Sequence, residues 1–327
     1  MKKKVIKDRV HLYFHSPCFD GTVSAVLASI YLKQVKRYSE VLLHCVNYHL
    51  KDRWLATDLE HPCAVVDFLY HTAADFWVDH HPTTFLNDEI RCHYESRRGP
   101  NIFYDSQAAS CAILIWRTWG TMFPEQFTNY EELVQWADRI DSARYDSVEE
   151  VISLKASPLQ INLALAVSQK ETFSKNLVHL LCKHSLKKVA TMPKVQTEFE
   201  KGWTLHQQGL RRLKAALSLT EDKIAVFDVN GDDVLINRYA PFYFYPQARY
   251  SAGIVRTGNK AKLTAMRNPW LEFSCAPLGQ LCVPLGGGGH QRVGSIIIKD
   301  QNPQMVLSKL LESIIAWEHK QSMEVAL

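Results

Sequence analysis

Apolar and polar positions follow two rhythms along the first half of the chain. Short apolar runs at 10–14, 40–48, 63–68 and 75–78 read as strands, and the stretch at 22–35 reads as a helix. Residues 106–119, rich in small and apolar side chains, predict a buried helix. A further helix is expected over 129–140, with Glu131 and Glu132 in its first turn, where the helix dipole favours acids. Strands alternating with helices predict an α/β fold: a mainly parallel sheet with helices on both faces.

The rhythm changes near residue 159. From there to 217 the pattern is helical and basic, with Pro193 as a break. Strand signals then return at 223–229, at 233–237 after the Asn230-Gly231 turn, at 250–256, and at 260–267 after the Gly258-Asn259 turn. A glycine run, a strand at 295–298 and a helix at 303–318 close the chain. The expected division is a first domain over 1–158, a helical connector over 159–217 and a smaller α/β domain over 218–327. No repeat or low-complexity tract interrupts it.

With 327 residues, 46% hydrophobic and 22% charged, the chain is long enough for two packed cores and too apolar for disorder. A net charge of +4 is too small to imply wrapping by nucleic acid. The eight cysteines contain no Cys-x-x-Cys pair and several sit in apolar runs, the pattern of buried thiols in a reducing compartment. Lys2, Lys3 and Lys4 lead into a strand and not into a signal-peptide apolar segment, and nothing later approaches a membrane span. A cytoplasmic location without membrane attachment is expected.

The chemistry lies where predicted strands end. His15 closes the first strand and Asp20 follows in the next loop. Asp67 closes the third, and Asp79, His80 and His81 close the fourth. In an open α/β sheet, ligands bind at the carboxyl ends of parallel strands. Each residue has an ordinary reading taken singly, as a turn former or helix cap, but their common placement points to one polar edge. Nitrogen and oxygen donors suit manganese or magnesium. Two such ions about 3.5–4 Å apart could share a bridging carboxylate, for which Asp67 is suited by its central strand, and a bridging hydroxide that attacks phosphorus.

In order, His15-Ser-Pro-Cys-Phe-Asp20-Gly21, Val-Val-Asp67-Phe and Asp79-His80-His81 resemble the DHH phosphoesterase superfamily, which includes RecJ-type exonucleases and nanoRNases. Gly286-Gly287-Gly288-Gly289-His290 resembles the signature of the associated DHHA1 domain. The resemblance implies His15 and Asp67 as ligands of one metal, and Asp20, Asp67 and His80 as ligands of a second. It implies that His81 contacts substrate phosphate, and that a later aspartate is a ligand, with Asp138 preferred over Asp141. Asp79 is expected to hold the histidines. Cys18 stands where the superfamily commonly has an aspartate. Ligation by its thiolate, which would favour zinc or iron, and simple filling of the turn both remain open.

Four glycines expose backbone N–H groups to an approaching anion, and His290 adds a donor. The resemblance implies that Arg267 grips a phosphate, with a surface salt bridge as the alternative. The basic stretch from Lys187 to Lys214 reads more readily as a solvated helix face, and Phe242, Tyr243, Phe244 and Tyr245 as base-stacking residues or a packed strand.

The function expected is hydrolysis of a phosphodiester or phosphomonoester in a small nucleotide or short single-stranded nucleic acid. Two divalent ions would serve it, Mn2+ foremost, with Mg2+, Co2+ or Zn2+ as alternatives. Exopolyphosphatase or pyrophosphatase activity, and a catalytically impaired nucleotide-binding regulator, are the other readings. Homodimerisation is left open.

Overall fold

The computed structural model describes residues 7–325, with backbone only for Lys7 and 322–325. The leading lysines therefore lie outside the described residues. The chain forms two compact units. One comprises residues up to 145 and 155–200, the other 146–154 and 201–327. Residues 159–217 are divided between them, and the helix Pro193–Ala216 starts in the first and ends in the second.

The first unit is built on a sheet of five parallel strands: β1 (Lys7–His15), β2 (Tyr38–Val46), β3 (Cys63–Val66), β4 (Phe76–Asp79) and β5 (Ile102–Tyr104). Their spatial order is β2-β1-β3-β4-β5, so the direction of winding reverses between β1 and β3. A reversal of this kind leaves a crevice outside the carboxyl ends of the two strands. β3 and β4 are buried along their whole length, which is why they read as unbroken apolar runs.

Helices cover one face: α1 (Phe19–Ile30), then, past α2 (Asp88–Arg97) in the chain, α3 (Cys111–Ile115), α4 (Pro124–Phe127) and α5 (Glu131–Asp141). α1 is buried at every position, so its sequence shows no amphipathic stripe. The opposite face carries an aromatic core of Tyr13, Trp54, Phe68, Tyr70, Trp77 and Tyr94. The buried Trp54 and Trp77 indoles donate to the backbone carbonyls of Leu69 and Phe68 at 3.0 and 2.9 Å, so their polar edges are satisfied.

The second unit holds a six-stranded mixed sheet in the order β10-β11-β9-β8-β7-β6, formed by β6 (Ser218–Leu219), β7 (Ile224–Asn230), β8 (Tyr250–Thr257), β9 (Lys260–Arg267), β10 (Gly288–His290) and β11 (Val293–Ile298). β8 and β9 form the expected hairpin around Gly258-Asn259. The strand expected at 233–237 is absent. β7 pairs in parallel with β8, and Leu235 N–H donates to Leu205 O, so the Asn230-Gly231 turn leads out of the sheet. Residues 242–244 belong to a short helix, Ala240–Phe244, and not to a strand.

Among the described residues no helix is long and apolar enough to cross a membrane, and all eight cysteines are free thiols.

Candidate metal centre

The polar edge forms where the winding reverses. His15 is the last residue of β1, Asp67 follows β3 directly, and Asp79 ends β4. Asp67 N–H donates to Val78 O at 2.9 Å, and its φ of +55° turns the carboxylate off the strand path. A non-glycine residue there carries conformational strain, of the sort that gathers at functional sites. Gly21 makes the approach of α1 feasible. A Cβ on it would lie 2.2 Å from His15 O and 3.0 Å from Asp67 Oδ2.

Asp67 is 1% exposed, and neither carboxylate oxygen has a hydrogen-bond partner. Its Oδ2 faces His15 Nδ1 at 3.3 Å, and its Oδ1 faces His80 Nε2 at 3.7 Å and His81 Nδ1 at 3.8 Å. The carboxylate thus has one donor group on each side. On the first, ligand atoms of His15, Cys18 and Asp67 lie within 4.8 Å of one another, and on the second so do those of Asp20, His80 and Asp141.

Other contacts orient these side chains. His80 Nδ1–H donates to Ala108 O at 3.1 Å, which leaves Nε2 turned towards Asp20, Asp67 and Asp141 at 3.7, 3.7 and 3.5 Å. Asp20 accepts from the N–H groups of Cys111 and Ala112 at 2.7 and 2.9 Å at the start of α3. Asp79 is fully buried, and its Oδ1 takes three donors: His80 N–H at 2.8 Å, His81 N–H at 3.4 Å and His81 Nδ1–H at 2.7 Å. It therefore orients the two histidines through one oxygen.

Burial and the neighbouring carboxylates push the Asp20 pKa well above the usual carboxylate range. Asp67 is raised chiefly by burial and then by Asp79 and Asp141, and burial also raises Asp141. So much buried acid favours either protons or cations. Burial and the charge of His81 lower His15 to about 4, keeping its imidazole neutral. Burial pulls His81 down, but the hydrogen bond and charge of Asp79, with Asp67 and Asp141, outweigh it and lift its pKa to about 9. The result is a neutral His15 imidazole beside the carboxylates and a cationic His81 imidazole at their edge.

Of the two later aspartates, Asp141 enters the cluster. Asp138 instead pairs with the Arg144 guanidinium and accepts from Ser110 Oγ at 3.3 Å. Cys18 is the N-cap of α1, its Sγ accepting from Gly21 N–H at 3.5 Å, and lies in the His15 group. Burial first, then Asp67 and Asp20, raise its thiol pKa well above the ordinary value. Tyr48, 37% exposed just beyond β2, sets its ring 5.1 Å from that of His15 and 6.1 Å from that of His81. Its place past a strand end was the available signal.

The expectation for Arg267 is corrected. It is 5% exposed, its guanidinium donates to the carbonyls of Asn268, Leu271 and Phe273 at 3.0, 2.6 and 3.3 Å, and it stacks on the Phe273 ring at 4.5 Å. It is a buried fastener, neither a phosphate clamp nor a surface ion pair. In the glycine run, Gly287 and Gly289 are required by close backbone: a Cβ would lie 2.3 Å from Ser295 O and 2.2 Å from Val293 O respectively. Gly286 has a φ of +81°, Gly288 faces open space and His290 is exposed.

No protein-family model and no curated protein sequence matches the chain. Solved structures do. A protein described as a pGpG-specific phosphodiesterase, PggH from Vibrio cholerae, superposes with a TM-score of 0.71 at 18% identity, over 95% of this chain and 99% of that one. The DHH domain of a protein described as a member of a family of ribosomal proteins superposes with a TM-score of 0.60 at 12% identity, over 94% of this chain and 86% of that one. The chain therefore shares the fold of these two structures, with the histidines and aspartates His15, Asp20, Asp67, Asp79, His80, His81 and Asp141 gathered at one sheet edge.

Proposed function

We propose that the protein is a metal-dependent phosphodiesterase acting on small nucleotide substrates, linear dinucleotides foremost. The observation that carries this reading is Asp67: a buried carboxylate with both oxygens unpartnered, flanked on each side by unpartnered histidine nitrogens. Burying such groups without compensation costs several kcal/mol or more, so the cluster is built for cations. His15, Cys18 and Asp67 would hold one, and Asp20, Asp67, His80 and Asp141 the other.

When bound, divalent ions supply Lewis-acid charge to the phosphoryl oxygens and acidify the attacking water. The chain does the positioning. Asp79 fixes His80 and His81 through a single oxygen, and His81, with Nδ1–H committed to Asp79, presents Nε2–H to a phosphate oxygen. Tyr48, 37% exposed beside the histidines, offers an aromatic ring against which a base can pack. Water oxygen bonds to phosphorus as the bond to the leaving nucleoside oxygen breaks, and that oxygen takes up a proton.

The pGpG specificity described for the Vibrio cholerae protein makes that dinucleotide the first substrate to test. The test is a panel of pGpG, other linear dinucleotides, 3′-phosphoadenosine 5′-phosphate and short-chain polyphosphate, assayed with Mn2+. Turnover of the dinucleotides with little of polyphosphate supports the reading. Preferential polyphosphate hydrolysis would move it to phosphoanhydrides, and binding without turnover under any divalent ion would leave a nucleotide-binding regulator.

A further inference from the structure

A second set of nitrogen and oxygen donors lies on the same sheet, apart from the centre just described. His11 and His44 sit on the adjacent parallel strands β1 and β2. Tyr13 is the register partner of His44 and His11 that of Leu42, so the two histidines are diagonal neighbours on one face. His11 Nδ1 and His44 Nε2 share a hydrogen bond at 3.0 Å, which an ion between them would replace, and His11 Nδ1 lies 3.8 Å from Glu60 Oε2. All three ligand atoms fall within 4.8 Å of one another. His11 is four residues before His15, about 13 Å along a strand.

The surroundings hold these groups in place. The Tyr13 ring lies against His44 at 4.6 Å and 19°, and its hydroxyl accepts from Glu60 N–H at 3.0 Å. One tyrosine thus fixes both an imidazole and the backbone of the carboxylate residue. His11 is 6% exposed, on a central strand, whereas Glu60 is exposed, so a rigid pair of nitrogens faces an adjustable oxygen on the solvent side. Burial, His11 and Lys175 keep His44 below its ordinary range, in the neutral form that a metal requires. Lys175 is itself paired with Glu171 at 3.5 Å.

We propose that His11, His44 and Glu60 form a second, independent site for a borderline transition-metal ion of the zinc class. Two imidazoles and one carboxylate, with room for water on the Glu60 side, match a three-ligand zinc site and discriminate against magnesium and manganese. An ion there would tie β1, β2 and the loop before β3 together.

The test uses the full chain carrying Asp67→Asn and His80→Ala, which disable the first centre, stripped with chelator and titrated with Co2+ as a spectroscopic probe. The expected result is one equivalent bound, with the visible absorption of low-coordinate cobalt, displaced by Zn2+ and not by Mg2+. Adding His44→Ala abolishes that equivalent, and Glu60→Gln weakens it about tenfold or more. Should either background fold poorly, the wild-type chain and its single Glu60→Gln variant decide, because Glu60 is exposed. Equal uptake and equal Zn2+ affinity in those two proteins, or no cobalt bound in the double variant while it keeps its native circular dichroism, would overturn the proposal.

Discussion

A carboxylate such as Asp67 contributes nothing favourable to folding while it stays bare. On the proposed function its value lies in the cations it holds, and this gives a test that separates function from structure. Asp67→Asn should lower turnover by about 10²–10³-fold or more, a loss of the size seen when one electrostatic contact to a transition state is removed. The metal-free variant should melt no lower than metal-free wild type, because a buried charge has gone. Calorimetry with and without Mn2+ reads both effects. Cys18 belongs to the same scale. If its sulfur ligates, Cys18→Asp should raise the ratio of Mn2+-supported to Zn2+-supported activity, and an unchanged ratio would leave the residue as a helix cap only.

The pH profile follows from the same residues. Asp20, Asp67 and Asp141 have raised pKa values, so they keep their protons to higher pH than ordinary carboxylates. Cations must displace those protons, so apparent metal affinity should rise with pH across the acid range. His81 contributes as a cation, and activity should fall as pH rises through its pKa, at or below about 9, because bound cations beside Asp67 and Asp141 cancel part of the attraction that raises it. His81→Gln should lose this alkaline limb and keep the acid one. At this scale the sequence disclosed much: residue type at a strand end announced His15, Asp67 and His80. It favoured Asp138 over Asp141, whereas the structure gathers Asp141, because Arg144 reaches back to Asp138.

At the scale of elements, the centre depends on how closely α1 approaches the ends of β1 and β3. Gly21→Ala would drive a methyl against His15 O, and backbone cannot yield as a flexible side chain does. The expected cost is about 1–3 kcal/mol of stability, together with loss of activity, read by denaturant unfolding and by assay. β3 and β4 were legible because fully buried parallel strands form unbroken apolar runs, whereas the three-residue β5 is too short to leave such a run and was not expected. The segment after β7 misled for a complementary reason. Asn230-Gly231 is a strong hairpin signal locally, but the partner of β7 is β8, about twenty residues on and parallel, and that pairing is decided by long-range packing.

For the whole molecule, the second unit raises the question of what Arg267 does. As a fastener between three backbone carbonyls it should matter for stability first. Arg267→Lys removes the planar fork and leaves buried carbonyls unsatisfied, at about 1–3 kcal/mol. Thermal melting should shift down with KM little changed in the folded fraction, whereas a phosphate-gripping arginine would give the reverse. The sequence placed Arg267 correctly at the end of a strand, yet burial is a property of the assembled unit and is not written in the residue or its neighbours.

The most direct test of the central claim is hydrolysis of a linear dinucleotide by chelator-stripped protein titrated with Mn2+, with bound metal measured in the same samples. The proposed function predicts no turnover without metal, and activity that appears as two equivalents fill the Asp67 centre and falls by about 10²–10³-fold or more in Asp67→Asn. Turnover that persists in fully stripped protein, or full occupancy and activity in the Asp67→Asn variant, would contradict it.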